Sequence, residues 1–151
     1  MPARPLYRPR DAPKLDRSVR RTLAALAEAV VPSDPHVPAE QLVDQIDLLV
    51  AQMPRFLRFG FPLGVRAFEL SSLPTSGARF SKLSRQRRQA HVAKWLHSPV
   101  HAQREVMRGL KGACMLGYYS DPAVCSRLGF FPSEHVTLVA AERLKRYADS
   151  I

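Results

Sequence analysis

Residues 98–122 read SPVHAQREVMRGLKGACMLGYYSDP, and the fold class follows from how this stretch begins, repeats and ends. Ser98-Pro99 pairs a capping residue with the one residue type that suits the first helical position, and Ser120-Asp121-Pro122 repeats the device for a following helix. Between them Met107, Leu110, Cys114 and Leu116 bring apolar bulk at helical spacing, which predicts a helix over 99–119. Gly109, Ala113 and Gly117 recur every four residues within it. Glycine lowers helix propensity, so a stripe of small residues points to close approach, either by another helix of the chain or by a partner.

The same punctuation recurs toward the N-terminus. Asp16 serves as an N-cap for a helix over 17–31, on which Leu23, Leu26, Ala27 and Val30 form an i, i+3, i+4, i+7 core stripe before Pro32 ends it. A second helix, 39–53, places Leu42, Ile46, Leu49 and Val50 on one face and is closed by Pro54; Glu40, Asp44 and Asp47 read as solubilising carboxylates. Residues 54–73 are rich in Phe and Leu but broken by Gly60, Pro62 and Gly64, which predicts a short turn and then a helix over 63–73. So apolar a segment belongs to the core or to an interface, and the reading favours the core. A loop is expected over 74–78.

Ser84 caps a helix running to His97, with Ala90, Ala93, Trp95 and Leu96 inward. Arg85, Arg87 and Arg88 crowd its first turn, where cations oppose the helix dipole, so they are either a solvated face or contacts for a partner. A short helix follows Asp121-Pro122 and ends at Gly129, and a last one spans 133–149 with Val136, Val139, Ala140 and Leu144 inward. No segment alternates as a strand does. The expected fold is all-α, a single helical bundle of about six or seven helices over 15–151. Residues 1–14 precede it as an extended basic arm, in which Pro2, Pro5, Pro9 and Pro13 alternate with Arg4, Arg8, Arg10 and Lys14, and Leu6 and Tyr7 are the only apolar anchors.

A chain of 151 residues that is 46% hydrophobic can bury a core without metal or disulfide support. Its 23 Lys and Arg against 13 Asp and Glu give a formal charge of +10, an attraction for anionic partners that does not by itself choose among nucleic acid, membrane and acidic protein. Cys114 and Cys125 fit no zinc or C-x-x-C spacing and read as buried free thiols. No apolar run is long enough to span a bilayer. Arg20-Arg21 precedes a mostly apolar stretch, but Glu28 interrupts it and no small-residue cleavage site comes after it, so this is a mature helix and not an export signal.

The chemistry-bearing motifs are missing. His97 and His101 have i, i+4 spacing, yet Pro99 lies between them and no H-E-x-x-H forms; the histidines read as exposed or capping. There is no nucleophile elbow, phosphate-binding loop or dinucleotide fingerprint. The densest basic cluster, Arg79, Lys82, Arg85, Arg87 and Arg88, has no interleaved aromatics and no helix-turn-helix around it. Nucleic acid is therefore not favoured, and a basic helical nucleic-acid-binding or regulatory module stands as the alternative to a protein-binding subunit.

Three stretches carry a family likeness: Leu23–Val31 ending in Val31-Pro32; Phe80-Ser81-Lys82-Leu83-Ser84 opening a helix; and Gly117-Tyr118-Tyr119-Ser120-Asp121-Pro122 with Leu128-Gly129-Phe130 after it. Over about residues 17–132 the chain resembles the gluconate 2-dehydrogenase subunit 3 family, the small or gamma subunits of flavin-dependent sugar and alcohol dehydrogenases. The resemblance implies a helical, noncatalytic accessory subunit with no cofactor of its own, paired with a large catalytic subunit of the glucose-methanol-choline type that holds FAD, and it leaves room for a cytochrome or other electron acceptor. The substrate of that large subunit would be a sugar, a sterol or another alcohol. Members with a twin-arginine signal escort the large subunit across the membrane; here Arg20-Arg21 opens a domain helix, so the expected location is cytoplasmic, or periplasmic through a partner's signal. On this reading Leu6, Tyr7, Arg8, Phe56, Phe59, Phe61, Arg85, Arg88, Tyr118 and Tyr119 are the candidate partner contacts, and the +10 charge complements a larger acidic subunit.

Overall fold

Asp16 begins the bundle: its carboxylate accepts from the Val19 N–H at 2.9 Å and caps α1, Arg17–Val30. That bond, with the Arg66 guanidinium also at hand, holds the Asp16 carboxyl below its ordinary value of 3.8. The computed structural model describes residues 14–33 and 35–129 together with positions 137, 139, 140, 142 and 143. The basic arm over 1–13 and most of the expected last helix lie outside the described residues. After α1 come α2 (Ala39–Gln52), α3 (Arg55–Leu70), a single turn α4 (Leu73–Ser76), a 3-10 turn at Phe80–Lys82, α5 (Arg85–Leu96), α6 (His101–Tyr119) and α7 (Pro122–Arg127). Among the described residues no strand occurs, and the fold is an all-α bundle.

α1 is central, packing against α2, α3, α5 and α6. Leu23 and Leu26 are fully buried and Ala27 nearly so, the stripe read from the sequence, with Val30 packed at its edge. Phe68 of α3 and Phe80 of the 3-10 turn close the core with ring centroids 4.5 Å apart, and Trp95 meets Phe68 edge-on at 5.1 Å. Gly117 lets α6 approach α2: a Cβ there would lie 2.9 Å from Leu42 Cδ1 and 3.3 Å from Ile46 Cγ1. Ala113 is buried in the same seam, whereas nothing stands within 4 Å of a Cβ at Gly109, so the small-residue stripe is only partly a packing feature.

Several expectations are corrected. α3 is one continuous helix from Arg55, not a turn followed by a helix over 63–73. Pro62 sits inside it, a placement that costs about 3 kcal/mol in a helix interior, and packing of α3 on α1 and α2 outweighs that local preference. The expected loop over 74–78 begins as the helical turn α4, stopped by Gly77 at φ +65°. α6 starts at His101 with Val100 as its cap residue, because the Ser98 hydroxyl accepts from the Val100 N–H at 3.1 Å and so occupies Ser98-Pro99 in a turn ahead of the helix.

The polar groups that look solubilising in the sequence include internal ties. Asp47 is buried, accepts from the Leu15 N–H at 3.0 Å and faces Arg20, which also meets Asp44 at 2.5 Å. Asp121 caps α7 through the Ala123 N–H at 2.8 Å and accepts from Gln41 Nε2 at 2.7 Å, joining α7 to α2. Buried carboxylates held this way are hydrogen-bonded as burial requires. Cys114 is buried, as expected of an apolar thiol, while Cys125 is half-buried.

Candidate functional site

α3 is apolar on two opposite sides. Val65 and Phe68 are buried, and Phe61, a candidate contact, is half-buried against the same core. Phe56, Phe59, Leu63 and Leu70 fall at i, i+3, i+7 and i+14, within about a 60° arc on the other side. They are 73%, 71%, 62% and 48% exposed. Large apolar side chains gathered and exposed on one face of a helix mark a surface suited to burial against a partner. The expectation that the Phe-rich segment goes to the core therefore holds for Phe61 and Phe68 and fails for Phe56 and Phe59.

Beside the stripe runs a groove of about 290 Å³ between α3 and the chain entering α1, lined by Leu15, Val50, Ala51, Phe59, Pro62 and Leu63 along its floor and walls and by Lys14, Asp16, Arg58 and Arg66 at its rim. Arg66 pairs with Asp16, and Arg58 Nε donates to the Met53 carbonyl at 2.8 Å, so two of these cations are held in place. α3 carries a single acid, Glu69, which is buried and accepts from the Ser81 N–H and hydroxyl at 3.0 and 2.5 Å. Its outward surface is therefore apolar and cationic.

A smaller apolar patch lies at the other end of α1, where Tyr118 and Tyr119 line a hollow with Pro32, Val124, Arg127 and Leu128. Tyr119 is 50% exposed and Leu128 63%, while Tyr118 packs partly on the core with its ring edge-on to Tyr119 at 5.2 Å. Of the two arginine candidates, Arg85 is exposed beside Glu28 and Pro32. Arg88 is instead turned inward, pairing with Glu28 at 2.7 Å and donating to the Ser81 carbonyl at 2.9 Å, so it ties α5 to α1. Leu6, Tyr7 and Arg8 lie outside the described residues. Leu63, Leu70 and Leu128 were missed; for the first two the signal was the i, i+7 spacing from Phe56 continuing through Pro62.

One pair invites a catalytic reading. Ser71 Oγ lies 2.8 Å from His91 Nε2, under the rings of Phe68, Phe80 and Trp95. The serine donates its proton to the Phe68 carbonyl at 2.7 Å, which assigns the imidazole nitrogen as the donor to Ser71. In this arrangement the ring nitrogen donates to Ser71 and the bond ties α5 to the end of α3. Burial, with Lys94 near by, lowers the His91 pKa from its ordinary 6.5 and keeps the ring neutral; His91 is thus neither exposed nor a cap. His97 and His101 are exposed, and among the described residues no group of three or more His, Cys, Asp or Glu could hold a metal.

The model of a family described as gluconate 2-dehydrogenase subunit 3 matches residues 18–132. The chain belongs to the gluconate 2-dehydrogenase subunit 3 family. The match runs from the first turn of α1 past the end of α7, so the subunit 3 domain includes both apolar patches. A family of dehydrogenase subunits implies a multi-subunit dehydrogenase complex, which is what an outward apolar helix face calls for. Comparison with curated proteins and with solved structures gives no significant match. No helix of the described residues is long and apolar enough to cross a membrane.

Proposed function

We propose that this chain is a noncatalytic small subunit that binds and stabilises or matures a large FAD-dependent catalytic subunit of the glucose-methanol-choline type, an oxidoreductase acting on a sugar, a sterol or another alcohol. The observation that carries the reading is the outward face of α3, where Phe56, Phe59 and Leu63 are each more than half exposed on one arc. Covering such side chains is worth about 1.5–3 kcal/mol each before the cost of association is subtracted, and aromatic anchors of this kind dominate binding energy in protein interfaces. Family membership supplies the kind of partner: another subunit of a dehydrogenase. FAD, on this reading, resides in that partner.

Our reading places the complex in the cytoplasm, or in the periplasm through a partner's signal. It rests on Arg20-Arg21 lying in α1, with Arg20 committed to Asp44 and Asp47, so that the pair serves the folded helix. Co-expression of the chain with a glucose-methanol-choline-type flavoprotein from the same genome tests the proposal. A yellow complex that survives gel filtration, and a large subunit that is less soluble or less active when expressed alone, is the expected result. Independent elution of two fully active proteins would refute it.

A further inference from the structure

The groove between α3 and the entry to α1 carries its own information about what fills it. Counting about 100° per residue, Arg55 and Arg66 lie beside Phe59 along one edge of the exposed stripe, whereas Gly60 and Ala67 border the other edge. Lys14 and Arg58 continue the cationic edge at the groove, and Asp16, paired with Arg66, is the single acid among the lining residues. The exposed stripe is thus bordered by positive charge on its groove side only.

Resting on the accessory-subunit reading above, we infer that this groove seats an apolar segment of the catalytic subunit bordered by carboxylates, oriented so that its acidic edge faces Lys14 and Arg55. Charge complementarity chooses this occupant. A second copy of the chain would bring the same cations against one another, a juxtaposition that opposes association. Single-stranded nucleic acid would use Phe56 and Phe59 as stacking platforms but leave the aliphatic Leu63 and Leu70 without a purpose, since binding of that kind pairs bases with aromatic faces. Lys14 and Arg55 are exposed, and the described structure assigns neither an ion-pair partner, so both are free to meet the carboxylates.

The test is a double charge reversal, Lys14→Glu with Arg55→Glu, compared with wild type and with Phe59→Ala/Leu63→Ala for affinity toward the co-purified FAD-containing large subunit at low and high salt. Arg55 is the first residue of α3, where an acid is favoured by the helix dipole, so the reversal leaves the fold intact and circular dichroism verifies it. The expected result is about tenfold weaker binding with a flattened salt dependence for the reversal, and loss of the complex for the alanine pair. If the alanine pair abolishes the complex while the reversal leaves affinity and salt dependence unchanged, the acidic-segment inference is overturned and the docking reading stands. If wild type forms no complex, the accessory-subunit reading itself falls. Concentration-dependent self-association, or binding to a labelled oligonucleotide, that Phe59→Asp removes would each assign the groove to another occupant and overturn the inference.

Discussion

The glycines of α6 allow a stability experiment in which sequence and structure disagree. In the sequence Gly109 and Gly117 are equivalent members of one stripe; in the fold a Cβ at Gly109 or Gly112 meets nothing within 4 Å, while at Gly117 it collides with Leu42 and crowds Ile46. Replacing a helical glycine by alanine without a steric penalty stabilises by about 0.5–1 kcal/mol, so Gly109→Ala/Gly112→Ala together should add about 1–2 kcal/mol. At this chain length 1 kcal/mol moves the midpoint by about 2–4 °C, giving an increase of about 2–8 °C. Gly117→Val acts in the opposite sense. Its Cβ starts 2.9 Å from Leu42 Cδ1, and Leu42 and Ile46 are 3% and 0% exposed, so the extra methyls overpack the core and cost about 1–3 kcal/mol. Urea and thermal unfolding followed by circular dichroism read both variants. A neutral Gly117→Val, or a destabilised Gly109→Ala/Gly112→Ala, would show that the α2–α6 seam is not packed as described.

Two further outcomes concern buried groups. Because burial lowers the His91 pKa, the unfolded chain takes up the proton first; stability is full above the ordinary 6.5 and falls as pH drops from there toward the lowered folded value. His91→Gln, which keeps a donor for Ser71 but cannot titrate, should flatten that fall in a series of urea midpoints, and an unchanged slope would exclude His91 as its source. Burial also pushes the Cys114 thiol up to about 12, whereas Cys125 is half-buried with its Sγ 3.0 Å from the Tyr119 carbonyl. A thiol reagent should label the native chain at Cys125 and reach Cys114 only on unfolding; equal fast labelling of both would contradict the packing around α6.

How much of the fold and of the docking face was legible in the sequence depended on whether the deciding interaction was local. The caps at Asp16, Ser84 and Asp121 are contacts within three residues, and each appears where the sequence predicts it. The continuity of α3 through Pro62 was not legible, because its cause is tertiary packing on α1 and α2. Nor could hydrophobicity alone separate Phe68, fully buried, from Phe59, largely exposed; that division needs the helix phase, which the expected break at Pro62 concealed. Arg85 and Arg88 share a first turn but face solvent and Glu28 respectively, and Asp47 parts from Asp44 in the same way. The exposed face of α3 was present in the sequence only as a run of Phe and Leu without a helix phase.

That face is the core of the functional account, and hydroxyl-radical footprinting of the full chain, alone and in complex with the large subunit proposed for it, measures it directly. The account predicts that Phe56, Phe59 and Leu63, exposed in the free chain, are labelled there and protected in the complex. Unchanged labelling of these three residues in a complex that protects Tyr119 and Leu128 instead would contradict it.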